Sequence, residues 1–445
     1  TLGFGTALIG EAVDYSIYLF VQSEQGGPDQ QSWIKRFWPT IRLGVLTSIA
    51  GFASLIQRAA RQNTVYAVWL PSADSALLAR LIFFGDSVEM FVGRQQMFAL
   101  LGPDGRVRLL EVPAQRVRFV RATGDSLPPL PGVARPAPDY AAPTGAAYTA
   151  EEVRVPVRPA AGDTFSLGCT LTKPRSGGPR FPAAVTLTGS GQQDRDENLW
   201  PLVSEYHLYR QIAERLALAG IAVLRCDDRG FGASGGPLDS ATMVDFAHDT
   251  EAKLAWLRAR ADVNSAQLAI IGHSEGGIVG PMVAALDPRL AALVLLAGTG
   301  KTMDAVVRDQ FLYPVEHAEG LTPAQRDTAR AEALRGAEAF VSNPMPYLRH
   351  ARHYDPLVMA RRVRTPVLVL NGAVDRQVSA GQADSLGVAF REGGNRDVTV
   401  RVFPGLNHLF VVSPSGTGAT DEYASLRDVA VPRDVLDAIA EWLVA

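Results

Sequence analysis

The sequence predicts an α/β protein built on a doubly wound, mostly parallel, eight-stranded sheet with an antiparallel start. From residue 151 onward, short β-rich runs alternate with amphipathic helical stretches. Several runs, such as Ala291-Ala292-Leu293-Val294-Leu295-Leu296, are apolar at every position, as a strand must be when helices cover both faces of its sheet. The rhythm breaks at 302–360, where a long, mostly helical segment separates two strands. An insertion there, at the carboxyl edge of the sheet, would stand over it as a cap.

The elements before residue 151 follow different rules. Residues 1–57 contain two apolar, Gly- and Ala-rich runs, 1–21 and 41–56, which predict an apolar helical hairpin. The first has near-membrane length but is interrupted by Glu11 and Asp14, and the second is short for a spanning helix, so buried soluble helices are the alternative. Residues 64–121 carry short β-rich runs, including Val65–Leu70, Val88–Val92 and Arg116–Val120, with turn signals such as Pro103-Asp104-Gly105, and predict a small antiparallel unit. Residues 122–150 are dense in Pro, Ala and Gly without an apolar period and read as a linker.

Within 151–445, the predicted strands are 151–158, 165–172, 182–188, 221–226, 267–271, 291–297, 366–371 and 398–403. Helices are expected over 204–219, 243–260, 276–286, 379–391 and 432–444. At 445 residues the chain is long enough for two or three units. Its net charge of −3, with no Lys/Arg-rich run, argues against a nucleic-acid partner. Cys169 and Cys226, the two cysteines, lie in strand-like apolar runs and are expected as buried thiols rather than a disulfide. The seven histidines lack metal-ligand spacing, so neither a metal nor a cofactor is expected.

The chemistry centres on Gly272-His273-Ser274-Glu275-Gly276, set between the apolar run 268–271 and a helical stretch. A serine hydroxyl is a poor nucleophile and gains by being held on a sharp strand-to-helix turn beside a base and amide donors. His408, in the loop after the last predicted strand, can take the proton from Ser274. His207, His248, His317, His350 and His353 lie in helical stretches, and the side chain of His273 should point away from the nucleophile. Asp375, after the strand preceding the histidine strand, can orient His408. Its rival, Asp355, precedes Pro356 and suits a helix cap or turn.

The expected oxyanion donors are the backbone N–H of Glu275 and one from the loop after 182–188, with Ser190 foremost and Gly191 and Gln192 as neighbours. The side chain of Glu275 suits either the helix N-terminus or a substrate contact. Asp227-Asp228-Arg229-Gly230-Phe231-Gly232 departs from the dinucleotide pattern G-x-G-x-x-G. A structural role is expected for it, with its Asp and Arg side chains bonding across the sheet edge to hold the serine and oxyanion loops.

Five motifs, T-G-S-G-Q-Q-D-R-D-E (188–197), D-D-R-G-F-G-A-S-G-G (227–236), I-G-H-S-E-G-G (271–277), L-N-G-A-V-D-R-Q-V (370–378) and G-L-N-H-L-F (405–410), together resemble bacterial α/β-hydrolase-fold serine hydrolases over residues 151–445. The resemblance implies a cofactor-independent carboxylesterase with Ser274, Asp375 and His408 as its triad. A thioesterase or a serine peptidase on the same triad is the alternative, and a membrane-anchored, non-enzymatic interaction protein is the alternative of another class. Substrate choice would then lie in the cap, where Phe311, Leu312, Tyr313 and Tyr347 either line an acyl pocket or pack the cap core. Residues 1–57, with G-x-x-x-D-Y-S-I-Y-L and L-T-S-I-A-G-F-A-S-L, are similar to consecutive membrane helices of RND-type exporters. That resemblance implies membrane association without transport, and the basic residues around the two runs assign no side of the membrane. The chain opens on threonine and no signal peptide is read, a pattern expected of a fragment or a fused reading frame.

Overall fold

The computed structural model describes residues 64–70, 75–84, 86–92, 95–101, 107–112, 117–120 and 138–445, apart from 160–161, 200–202, 204–205, 239, 319, 343–344 and 427–428. The hairpin expected over 1–57 lies outside the described residues, as does most of the linker expected over 122–150. Among the described residues, no helix is long and apolar enough to cross a membrane.

The chain divides into two compact units at residue 137. In the first, β1 (Thr64–Leu70), β2 (Ser75–Phe84), β3 (Ser87–Val92), β4 (Gln95–Leu101), β5 (Val107–Val112) and β6 (Val117–Val120) form one sheet in sequence order. Every neighbouring pair is antiparallel, as connections too short for a crossover require. Val88 and Ala99 are paired in register on β3 and β4, and both are buried.

The second unit is a single eight-stranded sheet. Its strands are β7 (Tyr148–Val157), β8 (Phe165–Pro174), β9 (Phe181–Leu187), β10 (Ala222–Cys226), β11 (Val263–His273), β12 (Ala292–Leu296), β13 (Val367–Gly372) and β14 (Val398–Phe403), in the order β14-β13-β12-β11-β9-β10-β8-β7. The strands from β14 to β10 are parallel; β8 pairs antiparallel with both β10 and β7. β7 begins at Tyr148, inside the expected linker, because its residues 148–150 continue the β8 ladder as far as Pro174.

The helices are α1 (Leu208–Leu218), α2 (Met243–Arg258), α3 (Gly276–Ala284), α4 (Met303–Glu316), α5 (Pro323–Val341), α6 (Pro346–Ala351), α7 (Pro356–Ala360), α8 (Gly381–Glu392) and α9 (Arg433–Val444). The period-2 geometry of a strand divides the apolar runs between two cores. Leu268 and Ile270, Leu293 and Leu295, and Val367 and Val369 pack with α2, α3 and α8 on one face. Ala269 and Ile271, Val294 and Leu296, and Leu368 and Leu370 pack with α1 and α9 on the other. Each such Val, Leu or Ile side chain, fully buried, contributes roughly 1.5–3 kcal/mol, and so a strand that faces two helical layers must be apolar at every position.

The segment α4–α7 lies between β12 and β13. Thr302 caps α4 and Thr322 opens α5 with a capping box closed by Gln325 and Pro323 at its first position. Arg326 donates to the carbonyl oxygens of Val315, Glu316 and Ala318, fastening the end of α4 to α5. Val307, Ala337 and Val341 form a small core of their own, with Phe311 packed against it.

One expectation is overturned. Cys169 and Cys226 form a disulfide rather than two thiols. β10 inserts between β9 and β8, which sets Cys226 directly opposite Cys169 on the antiparallel β8–β10 pair with their Cα atoms 4.0 Å apart. The cysteines are 57 residues apart, and only the strand order brings them together.

Candidate functional site

Ser274 stands at the end of β11 and is half-buried. Its φ of +52° lies in the left-handed region, which costs a non-glycine residue roughly 1–2 kcal/mol and lifts the side chain out of the strand. The turn is tied on both sides: the Ser274 N–H donates to the Leu296 carbonyl at 2.9 Å, and the Gly277 N–H donates to the Ser274 carbonyl at 2.9 Å. The flanking glycines are sterically required. A Cβ on Gly272 would lie 2.2 Å from the Gly276 carbonyl oxygen, and one on Gly276 would lie 2.2 Å from that of Leu187.

Asp375 and His408 come together from the loops after β13 and β14, with His408 Nδ1 2.8 Å from Asp375 Oδ2. Both side chains are buried. The other oxygen of Asp375 accepts the N–H groups of Gln377 and Val378, each at 2.8 Å, so the carboxylate is oriented before it meets the imidazole. Asp355, by contrast, caps α7, accepting from the Leu357 N–H at 2.9 Å.

Ser274 is tied to this pair through its neighbour. His273 Nε2 lies 3.0 Å from the His408 carbonyl oxygen, and Nδ1 lies 2.6 Å from Glu197 Oε1. The same Glu197 oxygen accepts the Gly189 N–H at 3.0 Å, in the loop after β9. Burial alone would push the His273 imidazole down, but the Glu197 carboxylate and the His408 carbonyl outweigh it and raise the value. Glu197 also has a left-handed backbone, φ +59°. Sequence reading left Glu197 without a role; it lies in the quoted D-R-D-E stretch, but nothing local says that its side chain turns inward.

The loop after β9 faces the elbow. Gly276 N–H donates to the Thr188 carbonyl at 3.1 Å, whereas the N–H groups of Ser190, Gly191 and Glu275 make no hydrogen bond to the chain among the described residues. Ser190 is exposed, and Gly191, with φ +94°, lines a cavity of about 40 Å³ with Thr188, Gly189, Glu275 and Gly276. That is space for a water or a small substrate group.

The Asp227-Asp228-Arg229 stretch secures this loop. Asp228 accepts from the Thr188 hydroxyl at 2.7 Å and from the Gln193 N–H at 2.9 Å. Burial pushes the Asp228 carboxyl up to about 7, against those hydrogen bonds and the nearby Lys253. Asp227 takes Arg195 in a two-pronged pair, at 3.0 Å to Nε and 2.9 Å to Nη2, and Arg229 does the same to Asp249, at 2.7 and 2.8 Å. Removing either partner of such a buried pair would strand a charge away from water.

Glu275 is buried, and its carboxyl is pushed up to about 8 by burial, with Asp228 adding to the shift and the Tyr347 phenol opposing it. Of the four cap residues singled out in the sequence, Tyr347 on α6 interacts with Glu275 and lies near Phe246, with ring centroids 6.2 Å apart. Phe311 packs inside the cap, and Tyr313 stacks on His317 with centroids 4.0 Å apart. Among the described residues, no group of three His, Cys, Asp or Glu side chains is arranged to hold a metal ion.

A family model described as serine aminopeptidase, S33, matches residues 202–317. Esterase EstD of Thermotoga maritima is 28% identical over 281 residues, a match that covers 62% of this chain and 64% of that protein, so it spans less than two thirds of the relative. Among solved structures, the Pyrococcus furiosus esterase Pf2001 superposes with a TM-score of 0.43 at 18% identity, over 60% of this chain and 85% of the other. Est1E from Butyrivibrio proteoclasticus, solved with ferulic acid bound, gives a TM-score of 0.43 at 16% identity, over 66% and 98% of the two chains. The sheet order, the helical insertion after β12, the serine elbow at the end of β11 and the sequence match together identify this chain as an α/β-hydrolase-fold protein.

Proposed function

We propose that the protein is a serine carboxylesterase in which Ser274 is the nucleophile, His408 the general base and Asp375 the residue that orients it. The observation that carries this reading is the buried His408–Asp375 pair, 2.8 Å apart, whose His408 carbonyl lies 3.0 Å from the ring of His273, the residue before a serine held in the left-handed conformation of an elbow. Ser274 Oγ attacks the ester carbonyl carbon while His408 takes its proton. The oxygen anion that forms is met by the N–H of Glu275 and by an N–H of the loop after β9, from Ser190 or its neighbour Gly191. Collapse expels the alcohol, which receives the proton from His408. Water, activated by the same base, then attacks the acyl-enzyme and releases the acid.

Asp375 holds the His408 tautomer with Nδ1–H toward itself, leaving Nε2 for the serine, and stabilises the imidazolium in each half-reaction. The similarity to esterase EstD favours a small-molecule ester as substrate. The family model described as a serine aminopeptidase favours a second reading, cleavage of aminoacyl amides by the same groups. Turnover of a panel of aryl esters, acyl thioesters and aminoacyl amides tests both. Hydrolysis of short-chain aryl esters, lost in Ser274→Ala, supports the esterase; equal turnover by Ser274→Ala would refute the mechanism.

A further inference from the structure

We infer that Glu197 and His273 form a second buried acid–base pair beneath Ser274, an imidazolium–carboxylate clamp that positions the base loop and the loop after β9 together. The inference rests on the hydrolase reading above. His273 has an acceptor at each ring nitrogen, Glu197 Oε1 at 2.6 Å from Nδ1 and the His408 carbonyl at 3.0 Å from Nε2. A neutral imidazole carries a single N–H and can satisfy one of them only. The pair must therefore hold one proton beyond a neutral histidine and a carboxylate.

That proton belongs on the ring. The Gly189 N–H already donates to Glu197 Oε1, which favours the ionised carboxylate over an acid that gives its proton to Nδ1, and Oε2 has no hydrogen-bond partner, so a proton there would be unsatisfied. An ionised Glu197 and a doubly protonated His273 leave every N–H of the clamp paired. The groups facing the pair are Asp228 from the loop after β10, Asp375 and His408 from the loops after β13 and β14, and the phenols of Tyr206 and Tyr209 at α1.

The connectivity assigns the role. One donor of the clamp ends on the backbone of His408, and its carboxylate ends on the backbone of Gly189, beside Thr188 and the cavity. His273 itself immediately precedes Ser274. The three segments that must agree on the position of the reacting carbonyl are thus joined by one charge-assisted chain. Neither residue touches substrate, so both are positioning residues.

Two measurements on the full chain test the clamp. Selective ¹⁵N labelling of the histidines should reveal, by ring-nitrogen NMR, one ring that stays doubly protonated at pH 8 and loses that state in Glu197→Gln. If every ring is neutral at pH 8, the clamp is refuted, whether or not the variant folds and whatever the enzyme hydrolyses. The second measurement is kinetic, on a short-chain aryl ester at matched folded fraction. Glu197→Gln and His273→Asn should each lower kcat by about 10²-fold, the cost of a displacement on the order of 1 Å, with KM nearly unchanged. The double variant should be no worse than either single one, since they break one unit. A folded Glu197→Gln enzyme with wild-type kcat would overturn the positioning role. A wild-type chain inactive on all three substrate classes would instead defeat the esterase reading and leave the ring-protonation result standing.

Discussion

Replacing Glu275 by glutamine should make the protein more tolerant of alkaline pH. The carboxyl moves from an ordinary 4.5 to about 8 in the folded chain, first because it is buried and then because Asp228 is near. An acid with a raised folded value keeps its proton in the native state while the unfolded chain has released it. Between pH 4.5 and 8 the native state therefore binds more protons, and its stability falls as pH rises through that window. The difference, 8 − 4.5 = 3.5, at about 1.4 kcal/mol for each pH unit, reaches about 5 kcal/mol above pH 8. Glutamine keeps the shape and does not titrate.

Urea unfolding of the wild type and Glu275→Gln at pH 5 and pH 9 should accordingly show a stability difference that moves by about 4 kcal/mol in favour of the variant. A kinetic consequence runs in parallel, because the Glu275 N–H is an expected oxyanion donor. An ionised carboxylate on that residue repels the developing anion, so the variant should retain ester turnover further into alkaline pH. A stability difference that stays constant between pH 5 and pH 9 would refute the reasoning, since it would mean that Glu275 is already ionised in the folded chain.

Three further outcomes are expected. Asp375→Asn should lower kcat by about 10⁴-fold, because an amide facing Nδ1 favours the wrong tautomer of His408, and steady-state kinetics will record it; a loss under tenfold would count against the assignment. Reducing the Cys169–Cys226 disulfide opens a 57-residue loop and should lower stability by about 4 kcal/mol, read as a fall in the urea midpoint with reductant; an unmoved midpoint would mean that the reduced unfolded chain is equally constrained. Gly276→Ala would bring a Cβ to 2.2 Å from the Leu187 carbonyl oxygen and should cost more than about 3 kcal/mol. Recovery of that variant with wild-type melting behaviour would show that the elbow can shift aside.

The inner strands of the second unit were legible because each carries a compact apolar run, and burial on two faces is a local requirement visible in a single segment; the edge strands β7 and β14, partly exposed, showed instead as β-rich runs that mix apolar and charged residues. Ser274, Asp375 and His408 were legible for a related reason. They lie one, three and five residues beyond their own strands, so the strand assignments alone place all three at the carboxyl edge. Asp227, Asp228 and Arg229 were read as a fastening, and their partners Arg195, Thr188, Gln193 and Asp249 give that reading its geometry.

The pairing of Cys169 with Cys226 could not be seen, since it depends on β10 entering the sheet between β9 and β8. Glu197 was invisible for a different reason: its left-handed backbone turns a surface-type residue into the interior, 76 positions before its histidine. Sequence likewise offered four cap residues as equals, and packing separated Tyr347, which meets Glu275, from Phe311, which fills the cap core.

What the sequence alone determined is the alternation of strands and helices and the order along the chain of the serine, aspartate and histidine proposed as nucleophile, acid and base, because periodicity and turn chemistry act over a few residues at a time. What only the tertiary structure decided is which buried acids and bases meet, which cysteines pair and which cap residue reaches the elbow. Those depend on distances between segments far apart in the chain. Burial also sets the ionisation of Glu275 and His273, through the loss of water and the nearness of a carboxylate, and neither is a property of the residue itself.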